Sequence, residues 1–258
     1  MIGFFIKKAF FDGWDNLIGV VLQNLIYIVL FGCAIASVNL MDVAMPLFYV
    51  VSVLILFVFC VFLGGTSNVV FGYSNYEKET WEPFGKGIRR NIRHVLLFFA
   101  LTVVLFFIAT LVIPFYLSLN NFFGIFLAVV ISWIFVITLL VLVYYFPLMN
   151  LLPGDRPFKT LKKCFLIFGD NIGFSLFFLL YNVVVVAFSV FTMGLIPGAC
   201  GYMLASQDAV KLLMFKYDYL EENPDANRKQ LPWAEILYDE KEKVGPRSLK
   251  SMIFPWKY

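Results

Sequence analysis

Long apolar runs separated by charged segments constrain this chain more than any other feature. They predict membrane spans at roughly residues 16–38, 45–72, 95–117, 123–148 and 172–196. A helix needs about 20 mostly apolar residues to cross the hydrocarbon core of a bilayer. Inside that core every backbone amide must be hydrogen-bonded within the protein, and barrel strands would alternate in polarity over about 10 residues. These runs do not alternate, so the sequence predicts an all-α, polytopic transmembrane helix bundle.

Composition argues against a soluble domain. The chain has 258 residues, of which 61% are hydrophobic and only 14% charged, whereas a soluble protein carries about 25% charged residues. Too few polar side chains are available to cover the surface of a soluble fold. Lys7 and Lys8 precede the first apolar run, but no small-residue cleavage site follows it, so we expect that run to remain as a span and not to be a signal peptide.

The distribution of basic residues predicts the topology. The segments 73–94 and 150–163 contain five and four Lys or Arg residues, while 39–44 and 118–121 contain none. Cytoplasmic loops accumulate Lys and Arg, and short translocated loops avoid them. The sequence therefore predicts a multi-pass protein of the cell (inner) membrane, with the N-terminus and the two basic loops in the cytoplasm.

A sixth span at roughly 198–217 is less apolar, because it contains Asp208 and Lys211. A charge at the centre of a span is unfavourable by about 2.5–3.5 kcal/mol on insertion scales. The two residues are three positions apart, so they share one helix face and could pair with each other. Six spans would divide the chain into a transmembrane domain, 1–217, and a cytoplasmic tail, 218–258. Five spans followed by an interfacial helix is the alternative.

A short pattern recurs along the chain. The basic segments 7–10 and 162–165 precede Asp15-Asn16 and Asp170-Asn171 at identical spacing, and a looser copy lies at 89–93. Each copy precedes a predicted span, so the pattern predicts three helical hairpins. Basic side chains suit the headgroup region, and Asp or Asn suits the N-cap of the following helix. Chance similarity between interfacial segments is the alternative.

Few residues in the spans could carry chemistry. No metal-ligand spacing, nucleophile motif or phosphate-binding loop occurs, so we expect neither a catalytic site nor a cofactor. The candidate intramembrane polar residues are Asn24, Asn182, Asp208 and Lys211. Buried amides such as these usually form interhelical hydrogen bonds. A small transporter or channel with a polar site near these residues is the alternative.

The C-terminal tail contains aromatic residues that a disordered, solubilising tail would lack. It could lie on the bilayer surface or bind a protein partner. Its candidate contact residues are Trp233, Arg247, Lys250, Phe254 and Trp256.

Three segments resemble the YesL-like family of bacterial multi-pass membrane proteins. They are Tyr76-Glu77-Lys78-Glu79, Phe84-Gly85-Lys86 with Asn91, and residues 147–163 before the fifth span. The resemblance covers roughly residues 1–200, and the tail after Leu220 departs from it. Such proteins often occur near carbohydrate-uptake systems and have no assigned catalytic residues. The resemblance therefore implies an accessory or scaffold subunit that binds another membrane protein or a second copy of itself, and not a nucleic acid.

Overall fold

The computed structural model describes residues 1–78, 81–228 and 230–247. Within these ranges all regular secondary structure is helical, so the all-α prediction is confirmed for them. Three of the predicted tail contacts, Lys250, Phe254 and Trp256, lie outside the described residues.

Twelve α-helices follow one another along the described chain. Short 3₁₀ and π segments, Asn39–Met41 and Ile108–Val112, extend the second and fourth helices. The bounds are α1 Ile2–Asp15, α2 Leu17–Val38, α3 Met45–Ser74, α4 Trp81–Phe107, α5 Ile113–Ser118, α6 Phe122–Leu142, α7 Tyr145–Leu151, α8 Pro157–Asp170, α9 Ile172–Phe191, α10 Gly198–Glu222, α11 Trp233–Ile236 and α12 Tyr238–Val244.

Five helical segments are long and apolar enough to span a membrane. They are Leu17–Met41, Met45–Ser74, Trp81–Ser118, Phe122–Leu151 and Ile172–Phe191. Each coincides with one of the first five predicted spans. The third begins well before the predicted residue 95, because the basic segment preceding it is also helical. The fifth ends at Phe191, short of the predicted residue 196.

The sixth predicted segment is helical but differs in character from the others. Helix α10 runs from Gly198 to Glu222 and therefore continues past the predicted domain boundary at residue 217. It is not among the five apolar helices. Its residues from Met203 to Leu213 are all buried against other parts of the protein. A helix surrounded by protein does not need the apolar surface that lipid demands, which explains its low hydropathy.

Two glycines allow α3 and α4 to cross closely. A Cβ atom added at Gly64 would overlap the side chain of Val95, and one at Gly65 would lie 2.5 Å from the ring of Phe84. Small residues at such positions let helix backbones approach each other in membrane proteins. The crossing holds the C-terminal half of α3 close to α4.

The two matching copies of the repeat adopt the same local structure. Helices α1 and α8 each contain 14 residues, end at Asp15 and Asp170, and are followed by Asn and an apolar helix. Asn16 and Asn171 occupy the predicted N-cap positions of α2 and α9, but the predicted capping hydrogen bond is wrong, since neither side chain accepts one in the described structure. The looser copy at 89–93 lies inside α4, which continues through it without a break.

Candidate functional site: a buried ionic cluster

Lys8, on α1, is at the centre of a buried ionic cluster. Its ammonium nitrogen lies 2.7 Å from Oδ2 of Asp12, one turn later, and 3.7 Å from Oδ1 of Asp208 on α10. It donates to the carbonyl of Ser74 at the end of α3, at 3.0 Å, and lies 3.4 Å from Oε2 of Glu240 on α12. The Lys8 side chain is 0% exposed. A buried ammonium requires partners of this kind, so the cluster joins four helices at one point.

Lys211 extends the cluster one turn further along α10. Its ammonium lies 3.2 Å from Oε1 of Glu240. It also donates to the carbonyl of Ser74 and to the amide oxygen of Asn75, both at 2.9 Å. The hydroxyl of Tyr76 donates to Oε2 of Glu240 at 2.9 Å. Glu240, from the tail, is thus held by groups from three other segments of the chain.

The predicted pairing of Asp208 with Lys211 is wrong. Asp208 accepts a 2.7 Å hydrogen bond from the hydroxyl of Ser74 and faces Lys8, whereas the ion-pair partner of Lys211 is Glu240. Neighbours on a helix face compete with groups from other helices, and here the buried groups on α1 and α12 offer closer contacts. The local spacing identified the right residues but could not supply their partners.

Three carboxyl groups, those of Asp12, Asp208 and Glu240, face the ammonium groups of Lys8 and Lys211. The carboxyls of Asp12 and Asp208 both contact the ammonium of Lys8 and are therefore close to each other. Burial and the adjacent Asp208 carboxylate raise the pKa of Asp12 to about 8. Burial would raise the pKa of Glu240, but Lys8 and Lys211 outweigh it and hold that pKa below its usual range. With a proton on Asp12 the formal charges of the cluster sum to zero.

Asn24, on α2, binds the connection between α9 and α10. Its Nδ2 donates to the carbonyls of Leu195 and Pro197 at 2.9 and 2.7 Å, and its Oδ1 accepts from the backbone N–H of Cys200 at 2.9 Å. Unpaired backbone groups are strongly unfavourable at membrane depth. The amide therefore satisfies irregular backbone. From Asn24, α2 continues to Val38, about 21 Å further at 1.5 Å per residue.

The four predicted polar residues do not converge. Asn24 lies at the α9–α10 connection, whereas Asp208 and Lys211 lie in the ionic cluster. Asn182 is buried on α9, and its side-chain oxygen has no hydrogen-bond partner among the described residues.

Three cavities between the helices have apolar walls. A cavity of about 300 Å³ is bounded mainly by α1, α2, α9 and α10, and two others measure about 360 and 160 Å³. None of the four predicted polar residues lines any of the three. The described cavities thus resemble packing gaps between helices more than a polar pathway.

The described part of the tail lies against the bundle. Arg247 binds both carboxylate oxygens of Asp15 at 2.8 and 2.9 Å, and its guanidinium carbon lies 4.7 Å from the ring centroid of Phe11. Leu237 and Val244 are buried, and Trp233 is half-buried. The sequence suggested a bilayer surface or a partner as the site of contact. For these residues the contact is the protein's own first and tenth helices.

Sequence reasoning missed most of the cluster, namely Lys8, Asp12, Ser74 and Glu240. One local signal was present, because Lys8 and Asp12 are four residues apart on a helix whose neighbours Phe5 and Ala9 share the buried face. A charged pair on an apolar face indicates that another element covers it. Nothing near Glu240 in sequence indicates that it would reach a residue 232 positions away.

Comparisons with protein-family models, with curated proteins and with solved structures gave no match to this chain.

Proposed function

We propose that this chain is an accessory or scaffold subunit of the membrane, without catalytic activity, that binds another membrane protein through its tail-covered end. The observation that carries this proposal is the burial of Glu240 between Lys8 and Lys211, with 3% of Glu240 exposed. A tail anchored in this way forms a fixed cap on the helices. A preformed surface binds a partner without the entropic cost of first ordering it.

The same contacts support the proposed topology. Arg247 binds Asp15 beside the end of α1, and Lys7 donates to the carbonyl of Gly245 at 2.7 Å. This contact between the tail and α1 supports the proposal that both lie on one side of the bilayer and that the chain crosses it an even number of times. With the basic segments cytoplasmic, both termini are cytoplasmic. Helix α10 returns the chain to that side, as the last of six membrane helices in three hairpins.

The partner class follows from the resemblance to YesL-like proteins, which favours a subunit of a nutrient-uptake system. A second copy of this chain is the simpler partner. The apolar cavities and the absence of the predicted polar residues from their walls support a binding role over a transport role.

Affinity purification from membranes tests this proposal. Full-length protein and a Glu240→Gln variant should be tagged at the N-terminus and purified under identical conditions. We expect a membrane-protein partner, or a second copy, to co-purify with the full-length protein and to be depleted when the anchor of the tail is removed. Exposed Glu242→Gln, on the same helix, is the matched control. Equal recovery with all three proteins would contradict a role for the anchored tail.

One observation favours a second candidate, a small proton-coupled transporter. Oδ2 of Asp208 is fully buried and has no hydrogen-bond donor among the described residues. Buried carboxyls within membrane domains often carry protons. Proteoliposomes loaded with a pH-sensitive dye would separate the two candidates. Proton flux that is lost in Asp208→Asn would support the transporter, and flux equal to that of empty liposomes would support the accessory subunit.

A further inference from the structure

A cavity of about 560 Å³ opens at the end of the bundle where the tail leaves α10. Its walls come from the starts of α1 and α9, from α10 and from the turn before α11. The ionic cluster contributes no side chain to it. The lining includes Ile2, Asn171, Phe174, Lys216, Arg228 and Trp233.

The cavity combines two cations with one neighbouring carboxylate. The Lys216 ammonium lies 3.2 Å from Oδ2 of Asp170 and 2.7 Å from the amide oxygen of Asn171. The Arg228 guanidinium is 3.9 Å from Asp170, and its side chain is 75% exposed. The pKa of the Asp170 carboxyl lies below its usual range, chiefly because Tyr217 donates a hydrogen bond to it. The positive charges of Lys216 and Arg228 lower that pKa further. Together with the α-amino group of Met1, which also lines the cavity, the two side-chain cations outnumber the one carboxylate and leave the site with a net positive charge.

The cavity lies where an apolar membrane helix begins. The apolar segment of α9 starts at Ile172, next to Asn171 in the cavity wall. Phe174, Leu213 and Trp233 line the same cavity as Lys216 and Arg228. Trp, Lys and Arg at such a level are typical of the headgroup region of a bilayer. The site therefore offers an apolar wall and a net positive charge at interfacial depth.

We infer that this cavity binds the phosphodiester headgroup of an anionic phospholipid, with Arg228 and Lys216 as phosphate ligands. A phosphodiester carries one negative charge, which is opposite in sign to the net charge of the site. The exposed guanidinium of Arg228 can bind two phosphate oxygens. The glycerol and upper acyl atoms lie against Phe174 and Leu213. This inference does not depend on the accessory role, since a membrane protein of any function can carry such a site.

Thermal unfolding of the purified full-length protein in detergent tests the inference. Phosphatidylglycerol at a hundredfold excess over Kd should raise Tm by about 5 °C or more. Phosphatidylcholine and inorganic phosphate should not. The shift should largely disappear in Arg228→Gln. It should persist in the control variant Arg90→Gln, which removes the same charge from an exposed position on α4. Native mass spectrometry should show retained phosphatidylglycerol on the wild type and on Arg90→Gln but not on Arg228→Gln.

Two results would overturn the inference. Equal shifts for Arg228→Gln and Arg90→Gln would show that the lipid acts elsewhere. A shift produced by inorganic phosphate alone, and lost in Arg228→Gln, would assign the cavity to a soluble phosphate compound. Because the Arg228 side chain is mostly exposed, we expect its variant to fold, and unchanged Tm without lipid would verify this.

Discussion

The carboxylate of Glu240, in the C-terminal tail, lies 3.4 Å from the ammonium nitrogen of Lys8, in the first helix. Both side chains are buried, and they are separated by nearly the whole length of the chain. The ammonium nitrogen of Lys211 lies 3.2 Å from the other oxygen of the same carboxylate. The contact makes the described part of the tail, up to Arg247, part of the helix bundle and places it beside the first helix.

Removing the Glu240 charge should release the tail. Glu240→Gln leaves Lys8 and Lys211 with one carboxylate fewer, and breaking a buried ion pair on one side typically destabilises by about 3–5 kcal/mol. We expect faster trypsin cleavage at Lys241 and Lys243 and a lower Tm. Glu242 is exposed and lies two residues further along the same helix. Glu242→Gln should change neither the rate of cleavage nor the Tm. Equal cleavage of the two variants would show that Glu240 does not hold the tail.

Stability should fall as the pH rises from about 4 to about 8. The pKa of Asp12 is raised to about 8 in the folded protein and lies near 3.9 in an unfolded chain. The folded state therefore keeps a proton that the unfolded state loses, so the stabilisation is complete below about pH 4. Above that pH the stabilisation falls by up to about 1.4 kcal/mol per pH unit, until the pH exceeds the pKa of Asp12 in the folded protein.

The groups facing Asp12 set this behaviour, and they come from each element around it. Lys8 is on the same helix and Asp208 is on α10, while Glu240, on α12, contacts Lys8 and is itself paired with Lys211. Asp12→Asn should flatten the dependence of Tm on pH between pH 5 and 8, while Asp15→Asn should not. A wild-type Tm that rises over this range would contradict a raised pKa of Asp12.

Asn24 should matter more for stability than Asn182, although both are buried amides in apolar helices. Asn24 makes three hydrogen bonds to backbone groups, whereas the Asn182 oxygen has no partner among the residues described. Leaving backbone partners unsatisfied is destabilising by about 1–3 kcal/mol per group. Asn24→Ala should therefore lower Tm clearly further than Asn182→Ala, and the reverse order would refute the structural role of Asn24.

The connection between α9 and α10 should be shielded from water. It contacts α2 at Asn24 and Ile28, well before that helix ends at Val38. In a Cys33→Ser background in proteoliposomes, an impermeant maleimide should label Asp42→Cys several times faster than Met193→Cys, from the same side. Met193 is 83% exposed on the protein surface, so slow labelling would reflect lipid and not burial. Equal rates would place the connection in water.

The sequence predicted the five long apolar helices well, because the signal for each one is local. Lipid requires about 20 apolar residues in a row, and a run such as 45–72 shows this directly. The sequence left open whether helix α10 spans the membrane. Its surroundings are protein, so its hydropathy does not indicate whether it lies in the bilayer. The Asp-Asn pattern was found, but its role was misassigned. Asp15 and Asp170 bind Arg247 and Lys216 and do not cap helices.

The contacts within the ionic cluster could not be predicted, because its residues lie far apart in the sequence. Asp208 and Lys211 stood out because charges are rare in apolar helices, but their partners Lys8 and Glu240 come from the two ends of the chain. Only the packing of α1 and α12 on α10 brings these four together. Patterns of three or four residues predict neighbours on one helix, and they do not predict which helix covers a charged face.

Cross-linking between the tail and α1 tests the central claim most directly. In a Cys33→Ser background, Asp15→Cys and Arg247→Cys should be combined, since Arg247 Nη1 lies 2.8 Å from Asp15 in the folded protein. A short bis-maleimide added to native membranes should join the two cysteines within one chain, and each single variant should remain unlinked. Efficient labelling of the two cysteines from opposite sides of the membrane, without a cross-link, would contradict the account.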